Sequence, residues 1–127
     1  RDLFVFDHWI RNEDRTLTEN GGNPNLFIKQ DSGEFVVLDH NLAFDKDYLY
    51  QNMHDCHLGK LSYTDNYELL IKEEYYDRLQ NALSVLEEAI LEIPQEWTDN
   101  FVSDDFYDQI RLILNYYTED EFWEVMQ

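Results

Sequence analysis

Two short β-prone runs, Leu26-Phe27-Ile28-Lys29 and Glu34-Phe35-Val36-Val37-Leu38, stand on either side of Asp31-Ser32-Gly33. This pairing predicts a single β-hairpin, with Gly33 free to take positive φ at the turn. The rest of the chain reads as helix or loop, so the sheet can only be small. The expected fold class is α+β and mainly helical.

The segments around the hairpin fix the order of elements. Asp2 to Arg11 carries Leu3, Phe6 and Ile10 on one helical stripe and Val5 and Trp9 on another, which predicts a helix buried on more than one side. The polar run from Asn12 to Pro24 has the Gly, Asn and Pro punctuation of a long loop, a class more often functional than idle. After the hairpin, Asn41 to Asp65 shows no clear period and is expected to be irregular. Tyr75, Leu79, Ala82, Leu83, Leu86 and Ile90 then recur at helical steps as one amphipathic helix, stopped by Pro94. Ser103 is placed to cap a helix carrying Phe106, Ile110, Ile113 and Leu114. Thr118 and Glu121 form a capping-box pattern ahead of Phe122 and Trp123. We read residues 1–127 as a single domain, in which 1–45 hold the loop and hairpin and 46–127 an irregular segment and a helical subdomain.

Charge narrows the function classes. Nine basic against 28 acidic residues leave a net charge of −19, which repels phosphate backbones and anionic membranes alike. Nucleic-acid binding and membrane attachment are therefore not expected. A hydrophobic fraction of 43% supplies enough apolar side chains for a core, which excludes disorder as the default state. The lone Cys56 cannot form an internal disulfide, which fits a reducing, cytoplasmic setting. No run approaches the ~18 apolar residues of a membrane span, and no basic-then-apolar leader is visible. The chain opens at Arg1 and runs directly into apolar residues, and we expect it to be a segment of a longer protein.

One constellation carries chemistry. An antiparallel pair returns the chain to its starting edge, so a loop residue, Asn25 before the first strand and Asp39 after the second can converge there. An amide oxygen and a carboxylate make a hard-oxygen site suited to Mg²⁺ beside a phosphate. A second carboxylate on the loop, Asp14, could orient a hydroxyl for in-line attack. Asn23 is the alternative to Asn25. Set beside this, Asp14-Arg15 alone could be a surface ion pair, and Asp39 an ordinary strand-end carboxylate. His54-Asp55-Cys56-His57 lacks the second spaced ligand pair of a closed zinc site.

The runs Phe6-Asp7-His8-Trp9-Ile10-Arg11-Asn12-Glu13-Asp14-Arg15, Asn23-Pro24-Asn25-Leu26-Phe27 and Val37-Leu38-Asp39-His40 resemble the HipA-like kinases, a family distantly similar to phosphatidylinositol kinases and protein kinases. Ile93-Pro94-Gln95-Glu96-Trp97 is similar as well. The resemblance implies a kinase C-lobe whose small hairpin carries the metal-binding residues. It also implies Asp14 as the catalytic aspartate, Asn25 (or Asn23) and Asp39 as ligands of Mg²⁺ and ATP, and phosphoryl transfer to a hydroxyl, most often of a protein, in a commonly bacterial setting.

Two departures stand out. Asn25 lies eleven residues after Asp14, where such kinases place the asparagine about five residues on, so Thr18 to Gly22 reads as an insertion. No glycine-rich loop or lysine precedes Asp14. The N-terminal lobe is therefore expected to be missing, the fragment alone to be inactive, and some of Leu3, Phe4, Phe6 and Trp9 to be left exposed. The rival reading is a non-catalytic acidic interaction module on a kinase-like scaffold.

Overall fold

The first helix, α1 (Asp2–Trp9), ends in a turn that sets the direction of the loop beyond it. Arg11 takes a left-handed conformation (φ 55°). Its N–H bonds the His8 carbonyl at 3.2 Å, and the Asn12 N–H bonds the Asp7 carbonyl at 2.8 Å. These are the two bonds of a Schellman stop, with arginine where glycine is usual. The turn folds Asn12 back beside Asp7 instead of letting the chain run outward. The computed structural model that shows this describes residues 1–60, 71–103 and 105–126.

The hairpin forms as the sequence predicts. Strands β1 (Leu26–Ile28) and β2 (Phe35–Val37) pair antiparallel in the register Leu26↔Val37, Phe27↔Val36, Ile28↔Phe35, and Gly33 adopts φ 70° at the turn. The Asp2–Arg11 segment is a buried helix, but its stripes differ from the expectation. Phe4, Val5, Asp7, His8, Trp9 and Ile10 are buried, while Phe6 is exposed. Of Leu3, Phe4, Phe6 and Trp9, some of which were expected to lie open, Phe6 is exposed and Leu3 half-buried, while Phe4 and Trp9 are covered. Hydrophobicity alone misassigned this helix because two polar side chains, Asp7 and His8, face inward with partners of their own.

Within the stretch expected to be irregular, Tyr50–Cys56 forms a helix, α2, and residues 61–65 of that stretch lie outside the described residues. A single buried side chain, Met53, points this helix inward, which is too little to register as a period. Its Tyr50 and His54 rings, with His57 just beyond, meet Phe4 edge to face at centroid distances of 6.4, 6.2 and 5.1 Å. Glu13 holds its start, accepting from the Leu49 N–H at 2.5 Å. Burial pushes the Tyr48 hydroxyl pKa upward, so it stays protonated and can donate to His8 Nδ1, 2.7 Å away.

Contacts divide the chain into two units, Arg1–Asn66 and Tyr67–Gln127. In the second, the expected single helix is broken into α3 (Ile71–Leu83) and α4 (Leu86–Leu91). At the break, Ser84 Oγ donates to the Asn81 carbonyl at 2.6 Å, a local bond that competes with the helical ladder. Pro94 both ends α4 and opens a helix the periodicity missed, α5 (Gln95–Phe101), where its carbonyl accepts from the Trp97 N–H at 2.9 Å.

Helix α6 (Phe106–Asn115) buries Ile110, Ile113 and Leu114. Ser103 does not cap it through its side chain, because its hydroxyl donates to Asp105 Oδ1 at 2.8 Å. A 3₁₀ turn (Tyr116–Thr118) leads to α7 (Asp120–Glu124). No capping box forms here either, since Thr118 Oγ1 turns back to the Asn115 carbonyl at 2.9 Å. Phe122 and Trp123 are buried as expected, and the Trp123 indole N–H is satisfied by the Tyr117 carbonyl at 2.7 Å. No helix among the described residues is long and apolar enough to cross a membrane.

Candidate functional site

The first unit is organised around a carboxylate with no access to water. Asp7, Asn12 and Arg15 are each 0% exposed, and His57 is 3% exposed. Arg15 Nε lies 2.6 Å from Asp7 Oδ2, and His57 Nε2 lies 2.9 Å from the same oxygen. Asn12 Nδ2 donates to Asp7 Oδ1 at 3.0 Å. His57 Nδ1 accepts from the Gly59 N–H at 2.9 Å, so the ring proton sits on Nε2 and points at Asp7. Burial alone would raise the Asp7 pKa. Hydrogen bonds from His57, Arg15 and Asn12, with the Arg15 charge, outweigh it and hold the carboxyl below its ordinary value.

Arg15 Nη2 also donates to Asp7 Oδ1 at 3.4 Å, and Nη1 turns to the hairpin. Its Nη1 reaches the Asn25 carbonyl at 2.7 Å and the Leu38 carbonyl at 3.3 Å. These two residues face each other one step beyond the last ladder pair, and the Leu38 N–H also bonds the Asn25 carbonyl at 3.1 Å. One guanidinium thus ties the open end of the hairpin to α1. Arg15 pairs with Asp7 and not with Asp14, so it is an interior strut and not half of a surface ion pair.

Asp14 borders this end of the hairpin. Its N–H is held by Asn12 Oδ1 at 3.4 Å, and its Oδ2 accepts from both Asn23 Nδ2 and Asn25 Nδ2, each at 2.9 Å. Asn25 (φ 45°) and Asp39 (φ 55°) are both left-handed, a conformation that Asn and Asp tolerate better than most residues. Asp39 is exposed and comes directly after Leu38, so the register carries it to the same end of the hairpin as Asn25. Phe6 meets His40 edge to face at 5.9 Å.

The eight residues from Thr16 to Asn23 close on themselves. The Thr16 N–H bonds the Asn23 carbonyl at 3.0 Å, the Asn23 N–H bonds Thr16 Oγ1 at 3.1 Å, and Thr18 and Gly21 exchange both backbone bonds at 3.0 Å. Gly22 makes the closure possible, since a Cβ there would sit 2.4 Å from the Thr16 carbonyl oxygen. The extra residues therefore bulge out as a tight turn and return the chain to Asp14. A bridge between Thr16 and His57, with the Leu17 N–H on the Cys56 carbonyl at 2.9 Å, pins the loop to the end of α2.

Sequence alone singles out Asp14, Asn23, Asn25 and Asp39 but not the network beneath them. Asp7 carried a signal, as a charged residue inside an apolar helix. His57 carried none, because its partner is 50 residues away. Asn25 and Asp39 offer hard oxygen atoms, and among the described residues no group of three or more His, Cys, Asp or Glu could by itself hold a metal ion. Such a pair fits a cation that arrives with phosphate oxygens already attached better than it fits a closed protein cage.

A family model described as HipA-like kinase matches residues 1–126. No curated protein and no solved structure gives a match. The matched span covers both units and includes every residue of the site just described, and on that ground the chain belongs to the HipA-like kinase family.

Proposed function

We propose that this chain is the C-terminal catalytic lobe of an ATP-dependent kinase that transfers a phosphoryl group to a hydroxyl on a protein. The observation that carries this reading is the direct bond from Asn25 Nδ2 to Asp14 Oδ2 at the open end of a hairpin whose other strand leads into Asp39. That bond commits the NH₂ of Asn25 and leaves its amide oxygen for a cation. Asn25 Oδ1 and the Asp39 carboxylate would hold Mg²⁺, which when bound neutralises phosphate charge. Asp14 would orient the attacking hydroxyl and take its proton. Arg15 does no phosphate binding, because it is fully buried and committed to Asp7 and the hairpin.

A kinase of this family also needs a cation on the α- and β-phosphates, and this reading assigns it to an N-terminal lobe, the chain's partner in catalysis. A net charge of −19 repels nucleic acid as a substrate and favours a protein segment of neutral or basic character. The reading places the protein in the cytoplasm, where ATP is abundant.

The test is transfer of labelled γ-phosphate from ATP by the two-lobed kinase and by this chain alone. The two-lobed protein should be active and the isolated chain inactive, since positioning supplies most of the catalysis in this reaction. Asp14→Ala should lower kcat by about 10²–10⁴-fold. Two-lobed protein that binds nucleotide but transfers equally well with Asp14→Ala would refute the assignment. Protein that binds no nucleotide at all would favour the acidic interaction module instead.

A further inference from the structure

Asn23 and Asn25 compete in the sequence for one metal-binding position, and the geometry separates them. Both donate to the same atom, Asp14 Oδ2, at 2.9 Å. Only the NH₂ of an amide can serve a carboxylate oxygen, so the orientation of both side chains is fixed by the bonds. Asp14 Oδ1 takes neither donor.

The two asparagines belong to different frames. The backbone of Asn23 is locked on both sides to Thr16, its N–H on Thr16 Oγ1 and its carbonyl on the Thr16 N–H. It therefore moves with the loop that carries Asp14. The backbone of Asn25 is locked to the hairpin, its carbonyl shared by the Leu38 N–H and Arg15 Nη1. It moves with the strand that leads to Asp39.

Resting on the phosphoryl-transfer reading above, we propose that Asn23 is a positioning residue for Asp14 and not a metal ligand. It clamps Oδ2 from within the loop, fixes the carboxylate plane, and leaves Oδ1 as the oxygen presented to the substrate hydroxyl. Asn25 makes the second bond and is the asparagine that faces the cation. The eight-residue turn from Thr16 to Asn23 then has a task, which is to deliver this second donor to Asp14.

Two substitutions of this exposed residue separate the roles by sign. A clamp must donate, so Asn23→Ala should lower kcat about 10-fold, the equivalent of one net hydrogen bond. The KM for ATP and the Mg²⁺ concentration for half-activation should not change. Asn23→Asp should be worse than Asn23→Ala, because a second carboxylate cannot donate to Asp14 and repels it. A metal ligand behaves in the opposite way. Asn23→Ala would raise the Mg²⁺ requirement, and Asn23→Asp, which supplies a stronger hard-oxygen ligand, would restore or tighten it. That order, or wild-type kinetics in both variants, would overturn the proposal while Asp14→Ala still abolishes transfer. Transfer that survives Asp14→Ala would remove the phosphoryl-transfer reading itself.

A second readout needs no turnover. In the nitrogen-15 side-chain amide spectrum of this chain, Asp14→Ala should move the NH₂ resonances of both Asn23 and Asn25. Unmoved Asn23 resonances would refute the clamp directly.

Discussion

The two units solve the problem of an interior in different ways. In the first, five polar or charged side chains among the described residues, Asp7, His8, Asn12, Arg15 and His57, are buried beside the apolar Phe4, Val5, Trp9, Ile10 and Met53. In the second, the buried side chains among the described residues are Tyr75, Leu79, Ile110, Ile113, Leu114, Tyr117, Phe122, Trp123 and Met126. Among its described residues, ion pairs such as Arg111 with Glu87 and Asp108, Lys72 with Asp120 and Arg78 with Glu74 lie at the surface. An apolar core is non-directional and tolerates small shifts. A buried ionic network is costly to desolvate and stable only in one geometry. The first unit accepts that cost where Arg15 ties α1 to the open end of the hairpin, the end at which the proposed site would lie.

The sharpest way to break this contrast is to remove the strut. Arg15→Met leaves the Asp7 carboxylate buried without its charge partner and should destabilise the first unit by ~3–5 kcal/mol. Chemical denaturation tracked through Trp9, which is buried in the first unit, would report it separately from Trp123 in the second. The double variant Asp7→Leu with Arg15→Met should recover part of that stability, because apolar pairs often replace buried ion pairs at little cost. Placed in the two-lobed kinase, it should not recover the phosphoryl transfer proposed above, because the Asn25 and Leu38 carbonyls lose their common donor. A double variant with full kinase activity would mean that the network serves folding alone.

The second unit should respond to volume instead of charge. Phe122, 1% exposed, packs edge to face on Trp123 at 4.8 Å and on Tyr116 at 6.2 Å. Phe122→Ala should cost about 3 kcal/mol through lost transfer energy and the cavity left behind. The Trp123 transition should move while the Trp9 transition does not. Movement of both together would show that the units unfold as one and would dissolve the comparison.

Acid should act selectively on the first unit. The Asp7 pKa is held below its ordinary 3.8 by His57, Arg15 and Asn12 against the opposing effect of burial. A carboxyl lowered in the folded state contributes its stability above the unfolded value, and that contribution fades as pH falls through the folded value. Wild type should therefore exceed Asp7→Asn by a constant margin from neutral pH down to about pH 4. The margin should then shrink toward pH 2. A margin that stays constant to pH 2 would refute the assignment of Asp7 as the linked group.

How much of the molecule was legible in the sequence depends on the range of the interactions involved. The hairpin was legible because Asp31-Ser32-Gly33 and its flanking runs are contiguous. That Asn25 and Asp39 would share one end of the hairpin was legible because a hairpin brings its own ends together. The break at Ser84 and the helix after Pro94 were missed, and Ser103 and Thr118 failed as caps, because single hydrogen bonds decided them against the local pattern. The buried network was hidden for a different reason. The sequence around Arg15 could not reveal which partners the network would use, since Leu38 meets Arg15 from 23 residues away and His57 meets Asp7 from 50. Polar side chains buried by distant partners leave no period.

The smallest expected effect tests the surface side of the contrast. Arg111 grips Glu87 with two bonds, Nε at 2.7 Å and Nη2 at 2.8 Å, and reaches Asp108 with Nη1 at 2.9 Å. These bonds hold the Glu87 carboxyl below its usual range, and they tie α4 to α6. The geometry is as good as that of Arg15, but the guanidinium is open to water, where an ion pair is worth little and salt weakens it. Arg111→Gln should therefore lower the Trp123 transition only slightly in dilute buffer. Removing a cation from a chain of net charge −19 adds repulsion, which salt screens as well. Both contributions have the same sign and the same remedy. At 1 M salt, where the screening length is ~3 Å, the difference from wild type should vanish, while the deficit of Arg15→Met, shielded by burial, should persist. If the Arg111→Gln deficit survives 1 M salt, the α4–α6 contact is a structural clasp like the strut at Arg15, and the division between a unit with a buried ionic network and one with its ion pairs at the surface would no longer describe how each is held together.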